Sequence, residues 1–281
     1  MENYIFTFSA IILYLACAAL LYFHVKQQKQ PATETGEVSV DGRLSKKQIL
    51  LIGLGGLLLH ALELKGCMIS EFGINLGFFN TVSLVSAFIV LLILIAAWRH
   101  PVEILPVIFL PLAAFSILLD AGAHDSSKSY LLPPDSDGAL LFHIVTSIMA
   151  YSILALAALQ AILLSIQNKF LHAHQPGGFI RMLPPLREME VLLFEVIVVG
   201  FATLTISLGS GLIFLDNMFD QQVAHKTVLS ILAWFVFLSL LIGHWKLGWR
   251  GRTAIRWTLS GFISLMLAYF GSKFVLEFLI N

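Results

Sequence analysis

The sequence predicts an all-α, polytopic membrane helix bundle, and three observations lead to that fold class. Hydrophobic residues make up 58% of the 281 residues, and charged residues only 12%. The mean hydropathy is +0.87, whereas a soluble domain of this size needs far more charge to cover its surface. Apolar runs recur along the whole chain, each close to the roughly 20 residues that a helix needs to cross a bilayer core.

Eight apolar runs are predicted as transmembrane helices. The first has no positively charged segment before it and is too long for a signal-peptide core, so we expect a retained helix. The fourth contains Pro106 and Pro111 and is expected to be kinked, and the fifth is long enough to tilt or project beyond the bilayer. The predicted spans are 4–23, 48–65, 79–98, 102–119, 139–166, 191–215, 226–245 and 257–279.

One polar segment interrupts this pattern near the N-terminus. Residues 24–47 are mixed in charge and poor in apolar residues, so we expect a flexible cytoplasmic linker between the first two helices. No other composition shift divides the chain. The sequence therefore predicts a single integral-membrane domain over residues 1–281.

The distribution of lysine and arginine predicts the orientation. Of the 17 such residues, all but Lys65, Lys128, Lys226 and Lys273 lie in the odd-numbered connections between spans. Because positively charged connections stay in the cytoplasm, the odd connections are predicted to be cytoplasmic and both termini periplasmic.

Several function classes find no support in the sequence. The formal net charge is zero, which gives nucleic acid no electrostatic attraction. The two cysteines, Cys17 in the first span and Cys67 in a predicted loop, form no CxxC or CxxCH pattern and are not expected to form a disulfide. No nucleophile–base arrangement, phosphate-binding loop or metalloprotease motif is present, so we do not expect an enzyme.

Three histidines, His60, His143 and His225, are predicted at similar depth near the outer side of the membrane. Histidine inside a membrane helix is costly unless it faces protein, water or a ligand. Its specialised uses are proton relay, metal ligation and axial ligation of haem. The alternative is that each imidazole only hydrogen-bonds a neighbouring helix.

His143 belongs to a polar stripe on the fifth span. His143, Ser147 and Tyr151 recur at i, i+4 and i+8 and therefore share one helix face. The stripe is typical either of a cavity with a polar ligand or of a seam between packed helices. On the second span, Glu63 follows His60 by three residues and could orient its imidazole, or lie at the interface beside Lys65.

His225 is predicted at the mouth of the seventh span, beside Lys226. The positive end of the helix dipole and the neighbouring ammonium both favour a neutral imidazole, which is the ligating form. His225 is therefore a candidate second ligand. If it is instead an interface residue hydrogen-bonded to a loop, His60 becomes the candidate.

Seven stretches together resemble the YpjD inner-membrane family, a HemX-like branch of the cytochrome c assembly superfamily that includes CcsA, CcmC and CcmF. They cover nearly the whole chain: LLHALEL (58–64), NLGFFNTVSLVSAFIV (75–90), LLFHIVTSIMAYSILALAALQAI (140–162), MLPPLREMEVLLF (182–194), HKTVLSILAWFVF (225–237), GWRGRTAIRW (248–257) and LAYFGSKFVLEFL (267–279).

The resemblance implies an eight-helix, haem-handling protein of the bacterial inner membrane. In the superfamily, outward-facing histidines ligate haem beside a tryptophan-rich loop, the WWD domain, and His143 falls where the first of those histidines lies. The chain departs from the pattern in two places. Residues 215–227, LDNMFDQQVAHKT, contain no tryptophan, and YFGSKF (269–274) stands where the second histidine is expected. Full haem-ligation activity is therefore not expected.

Together these observations predict a multi-pass inner-membrane protein that binds or handles haem and assists cytochrome c assembly or haem metabolism. The haem would be held non-covalently, with its iron on His143 and His225 and with His60, Ser147 and Tyr151 in the site. Its expected partners are haem, the lipid bilayer and a membrane or cytochrome-biogenesis protein. Two alternatives remain: a cofactor-free regulatory or scaffold protein, and an accessory in divalent-metal transport whose three histidines would suit zinc or copper.

Overall fold

A computed structural model describes residues 2–28, 44–71, 73–122, 131–134, 136–173, 182–214 and 224–271. Within these ranges the chain forms eight α-helices, and the predicted all-α bundle is confirmed. The helices are α1 (Glu2–Gln28), α2 (Lys46–Met68), α3 (Phe78–Arg99), α4 (Ile104–Gly122), α5 (Gly138–His172), α6 (Leu186–Phe214), α7 (Ala224–Leu247) and α8 (Gly251–Met266), the last continued by a π-helical turn, Leu267–Gly271.

Seven of the described helices, α1 to α7, are long and apolar enough to cross a membrane. They correspond to the first seven predicted spans. The eighth predicted span, 257–279, overlaps α8, which starts earlier, at Gly251, and is followed here only to Gly271. The rest of that span lies outside the described residues.

The helix ends differ from the predicted spans because hydropathy marks only the apolar part of a helix. α1 continues to Gln28 and α2 already begins at Lys46, so both edges of the predicted linker 24–47 are helical. Residues 29–43 lie outside the described residues. Cys67 was expected in a loop and instead lies in the last turn of α2. Both cysteines are free, as predicted.

The chain groups into two compact units. The first comprises Met1–Ile69, Val82–Asp125 and Gly177–Pro184, and the second comprises Ser70–Thr81, Ser126–Pro176 and Pro185–Asn281. The first unit thus contains α1, α2, α4 and most of α3. The second contains α5 to α8.

In the first unit, α1 packs against α2 and α4. One face of α1 is buried at Ala10, Tyr14 and Cys17, while Phe8 and Ile12 on the other face are more than half exposed. Exposed apolar side chains at helical spacing are expected where a helix faces lipid. α2 begins with a capping box, in which the Ser45 hydroxyl and the Gln48 side chain each bond the other's backbone N–H.

In the second unit, α5 packs against α6 and α8, and α7 packs against α6 and α8. α5 has 35 residues and is therefore about 52 Å long, which confirms the expected long fifth helix. Three short strands, β1 (Ile69–Ser70), β2 (Gly73–Asn75) and β3 (Leu131–Leu132), lie in the connections. β2 pairs antiparallel with β3, with Ile74 opposite Leu132.

Gly73 allows the chain to enter β2. Its φ is +127°, a conformation that side chains other than glycine rarely adopt, and a Cβ atom there would overlap the Leu132 carbonyl. The pairing of β2 with β3 therefore depends on a glycine at this position.

Candidate functional site

His143 lies in the second turn of α5 and reaches across to α6. Its Nδ1 atom is 3.0 Å from the backbone oxygen of Ser207 and 3.2 Å from the Ser210 hydroxyl. The ring is half-buried, whereas Ser207 and Ser210 are buried. The carbonyl can only accept, so Nδ1 carries the proton and donates it to Ser207. Nε2 is then the unprotonated nitrogen.

Ser147 lies one turn further along α5 and contacts both His143 and Ser207. Its hydroxyl is 2.7 Å from the His143 carbonyl oxygen and 2.6 Å from the Ser207 hydroxyl. It is 3.5 Å from His143 Nε2, the outer limit of a hydrogen bond. Because the single hydroxyl proton is used by the much closer carbonyl, the lone pair of Nε2 has no strong donor among the residues that the structure describes.

Tyr151 is the third member of the predicted stripe, and it lies deeper in the unit. It is 8% exposed, and its ring centroid is 5.4 Å from that of Phe262 and 6.1 Å from that of Tyr269. The stripe is thus divided between two environments. His143 and Ser147 contact serines of α6, while Tyr151 lies among aromatic rings of α8 and the π-helical turn.

His60 lies in the first unit and is fully buried. Its Nδ1 is 3.1 Å from the Tyr14 hydroxyl, and its Nε2 is 2.9 Å from the Ser83 hydroxyl. Both ring nitrogens are therefore engaged by protein side chains. This arrangement matches the interhelical hydrogen-bonding alternative, and ligation by His60 would require one of these bonds to break.

Glu63 does not orient His60. The partners of the His60 ring are Tyr14 and Ser83, and Glu63 itself is 1% exposed. Its Oε1 instead accepts a hydrogen bond from Cys67 at 3.5 Å. The Asp120 carboxylate of α4 lies with these two groups, and the three candidate donor atoms are within 4.8 Å of one another.

His225 is the second residue of α7, at the helix mouth as predicted. Its side chain lies outside the described residues, so its role as second ligand stays a prediction.

The serines of α6 were not predicted as site residues. Ser207 and Ser210 are spaced i, i+3 beside Gly209 and Gly211, and this spacing places both hydroxyls on one helix face. The sequence contains that signal. The sequence does not predict how α6 is rotated about its axis, and that rotation turns this face towards His143.

The described residues also form a cleft of about 530 Å³ near the other end of α6. There the His244 ring stacks on Phe194 at a centroid distance of 3.5 Å, and His244 Nδ1 bonds the Trp249 carbonyl at 2.9 Å. Two arginines and two glutamates line the cleft, so its charges balance and favour neither an anionic nor a cationic ligand. It is lined by Arg187, Glu190, Val191, Phe194, Glu195, Val198, Val199, His244, Trp245 and Arg250.

Comparison with known proteins identifies the family. The cytochrome c assembly protein family matches residues 49–280. The chain belongs to this family. It is 33% identical to the inner membrane protein YpjD of Escherichia coli K12 over 238 residues, which cover 82% of this chain and 87% of the relative. The predicted resemblance to YpjD is thereby confirmed.

Two further relatives match shorter parts of the chain. The chain is 32% identical over 141 residues to an uncharacterized 28.8 kDa protein of Azospirillum brasilense, covering 50% of this chain and 52% of that protein. It is 25% identical over 206 residues to the cytochrome c biogenesis protein CcsA of Prochlorococcus marinus MIT 9515, covering 63% and 64% respectively. No solved structure matches the chain.

Proposed function

We propose that this protein binds haem on the outer side of the bacterial inner membrane and serves cytochrome c biogenesis, with His143 Nε2 as a ligand that would hold the iron. Membership of the cytochrome c assembly family supports the biogenesis role, and one relative is named CcsA, a cytochrome c biogenesis protein. The name of YpjD and the seven apolar helices support a multi-pass inner-membrane location. The outer side rests on the predicted orientation.

The observation that carries the proposal is the hydrogen bond from His143 Nδ1 to the Ser207 carbonyl, at 3.0 Å. Histidines that bind a metal usually donate their other ring N–H to a carbonyl or carboxylate, which fixes both the tautomer and the ring orientation. Here the bond leaves the Nε2 lone pair for iron. The Ser210 hydroxyl lies 3.2 Å from the same Nδ1 atom and helps to orient the ring.

His143 would supply one imidazole ligand to a haem iron. Bound haem would supply an iron that accepts the imidazole, and the chain's own part is to hold that imidazole neutral and oriented. A role for His225 as second ligand rests on its place at the mouth of α7. Since residues 215–227 contain no tryptophan, we propose haem handling without the haem-presenting loop and assign no catalytic step.

The proposal is tested by haem titration of the purified full chain in detergent, followed by the Soret absorption. His143→Ala should weaken haem binding roughly tenfold or more, because metal sites lose 10–100-fold in affinity even when only an outer-shell partner is removed. His172→Ala is the matched control, because His172 is on the same helix, is exposed and bonds only the Asn168 carbonyl among described residues. It should bind haem as the wild type does.

Two outcomes would reject the proposal. Equal haem affinity in His143→Ala and wild type would remove His143 as ligand. No Soret band in the wild type, even after growth with added haem, would remove haem itself and leave the cofactor-free regulatory or scaffold alternative.

A further inference from the structure

We propose that Glu63, Cys67 and Asp120 form a zinc site where α2 and α4 end. Glu63 and Cys67 are spaced i, i+4 and share one face of α2, and Asp120 lies in the last turn of α4. Their candidate donor atoms are within 4.8 Å of one another. All three belong to the first unit, whereas His143 belongs to the second, so the two proposals share no residue.

The burial of the carboxylates shows that this group is more than an acidic cluster. Glu63 is 1% exposed and Asp120 is 2% exposed. The Oε2 atom of Glu63 is buried without any hydrogen-bond partner in the described part of the chain, and Glu63 forms no ion pair there. An ionised carboxylate buried in this way is costly unless a cation or proton compensates it.

The end of α2 also favours a cation. Cys67 lies in the last turn of α2, and the C-terminal end of a helix carries partial negative charge. No positively charged side chain compensates Glu63 among the described residues. A divalent cation would compensate both the Glu63 carboxylate and the end of α2.

The donor set selects the ion. A cysteine sulfur with two carboxylate oxygens suits zinc, whereas magnesium and calcium prefer oxygen alone. Zinc–sulfur and zinc–oxygen bonds of about 2.3 and 2.0 Å place tetrahedral donor atoms roughly 3.5 Å apart. The Cys67 Sγ to Glu63 Oε1 distance is already 3.5 Å.

The cluster can be approached from the side of Cys67. Cys67 is half-buried while both carboxylates are buried, so an ion can approach past the thiol. Three protein ligands leave one position of a tetrahedron for water. Binding replaces the thiol proton that now points at Glu63, and that proton is released to solvent. His60, one turn away, is not a ligand because Tyr14 and Ser83 engage both its nitrogens.

Cobalt substitution of the full chain tests the site without haem. After chelation and reloading in detergent, Co²⁺ should bind in an equimolar amount with a thiolate-to-cobalt charge-transfer band, and Zn²⁺ should displace it. Cys67→Ser should abolish the band. Glu63→Gln and Asp120→Asn should each lower Zn²⁺ affinity about tenfold or more. The controls are Cys17→Ser and Glu71→Gln, because Cys17 bonds the Ile49 carbonyl on another part of the unit and Glu71 is exposed.

A second measurement needs no variant of the cluster. Zn²⁺ should protect the half-buried Cys67 of the wild type from a thiol-alkylating reagent, and a chelator should restore the reaction. A wild type that binds Co²⁺ without the thiolate band, or that gains no protection from Zn²⁺, overturns the proposal and leaves a proton shared between the two carboxyls. Because neither assay contains haem, failure here is distinct from failure of the haem proposal.

Discussion

At the scale of single residues, His60 and His143 differ in their hydrogen bonding. His60 is buried with both nitrogens bonded, to Tyr14 and to Ser83, so it joins three helices of the first unit. His143 is half-buried and anchored through Nδ1 alone. The sequence predicts similar membrane depths for the two histidines, but it does not predict that they differ in what they bond.

The Tyr14–His60 bond gives a test of the structural role. Tyr14→Phe removes the hydroxyl and leaves a buried imidazole nitrogen without its partner, so we expect a loss of about 1–3 kcal/mol in the free energy of unfolding. Thermal or denaturant unfolding in detergent measures it. Tyr22→Phe, at a partly exposed site on the same helix, should change stability by about 0.5 kcal/mol or less.

The Tyr14→Phe variant also distinguishes a structural role of His60 from a role as a haem ligand. If Tyr14→Phe left stability unchanged but altered a haem spectrum, His60 would be a ligand rather than a bonded core residue. We expect the opposite, with lower stability and an unaltered spectrum.

The sequence does not predict which side chains of neighbouring helices contact each other, and the reason is physical. Spacing along one helix fixes which residues share a face, as it did for His143, Ser147 and Tyr151. It does not fix how a neighbouring helix is rotated. Ser207 opposite His143, and Asp120 beside Glu63 and Cys67, both depend on that rotation.

At the scale of the elements, glycine determines how closely the helices approach. A Cβ atom on Gly200 would lie 2.6 Å from the Leu154 side chain, so α5 and α6 pack over this position with no space for a methyl group. Small residues commonly permit such contact between membrane helices. At Gly209, about two and a half turns along the same helix, a Cβ atom would have nothing within 4 Å.

This pair of glycines gives a matched prediction. Gly200→Ala should lower the free energy of unfolding by about 1–3 kcal/mol, because the added methyl overlaps Leu154. Gly209→Ala should be neutral or stabilising by up to about 1 kcal/mol, since alanine is the better helix former. Thermal unfolding of the two variants in one detergent compares them, and equal effects would contradict the close packing at Gly200.

The elements themselves were largely predictable, because apolar runs of membrane length have few other structures available. The seven helices α1 to α7 follow the predicted spans. The predicted ends of the helices were less accurate. α5 continues to His172 and α6 begins at Leu186, since polar residues at the interface extend a helix without adding hydropathy.

At the scale of the whole molecule, orientation determines which side each site faces. The excess of lysine and arginine in the odd connections predicts that the α2 and α4 ends, and with them the Glu63–Cys67–Asp120 cluster, lie on the periplasmic side. His143, in the second turn of α5, is predicted on that side too. The division into two compact units has no counterpart in the composition, because the boundary runs through connections and through α3.

Fusions to alkaline phosphatase, which is active only after export, measure the orientation. A fusion after Asn281 should be active, and one within residues 30–42 should be inactive, because the charged connections are held in the cytoplasm. Fusions in 174–181 and 123–130 serve as the inner and outer controls. The reverse pattern of fusion activities would contradict the predicted orientation and assign every histidine to the opposite side of the membrane.

The pairing of β2 with β3 has a consequence for membrane insertion. The two strands can meet only if they emerge on the same face of the bilayer, and α3 and α4 are the helices between them in the chain. The number of crossings between the strands must therefore be even. A nascent chain in which α3 inserted and the proline-containing α4 did not would leave Ile74 and Leu132 on opposite sides. This short ladder is thus incompatible with a chain in which only one of the two helices has been inserted.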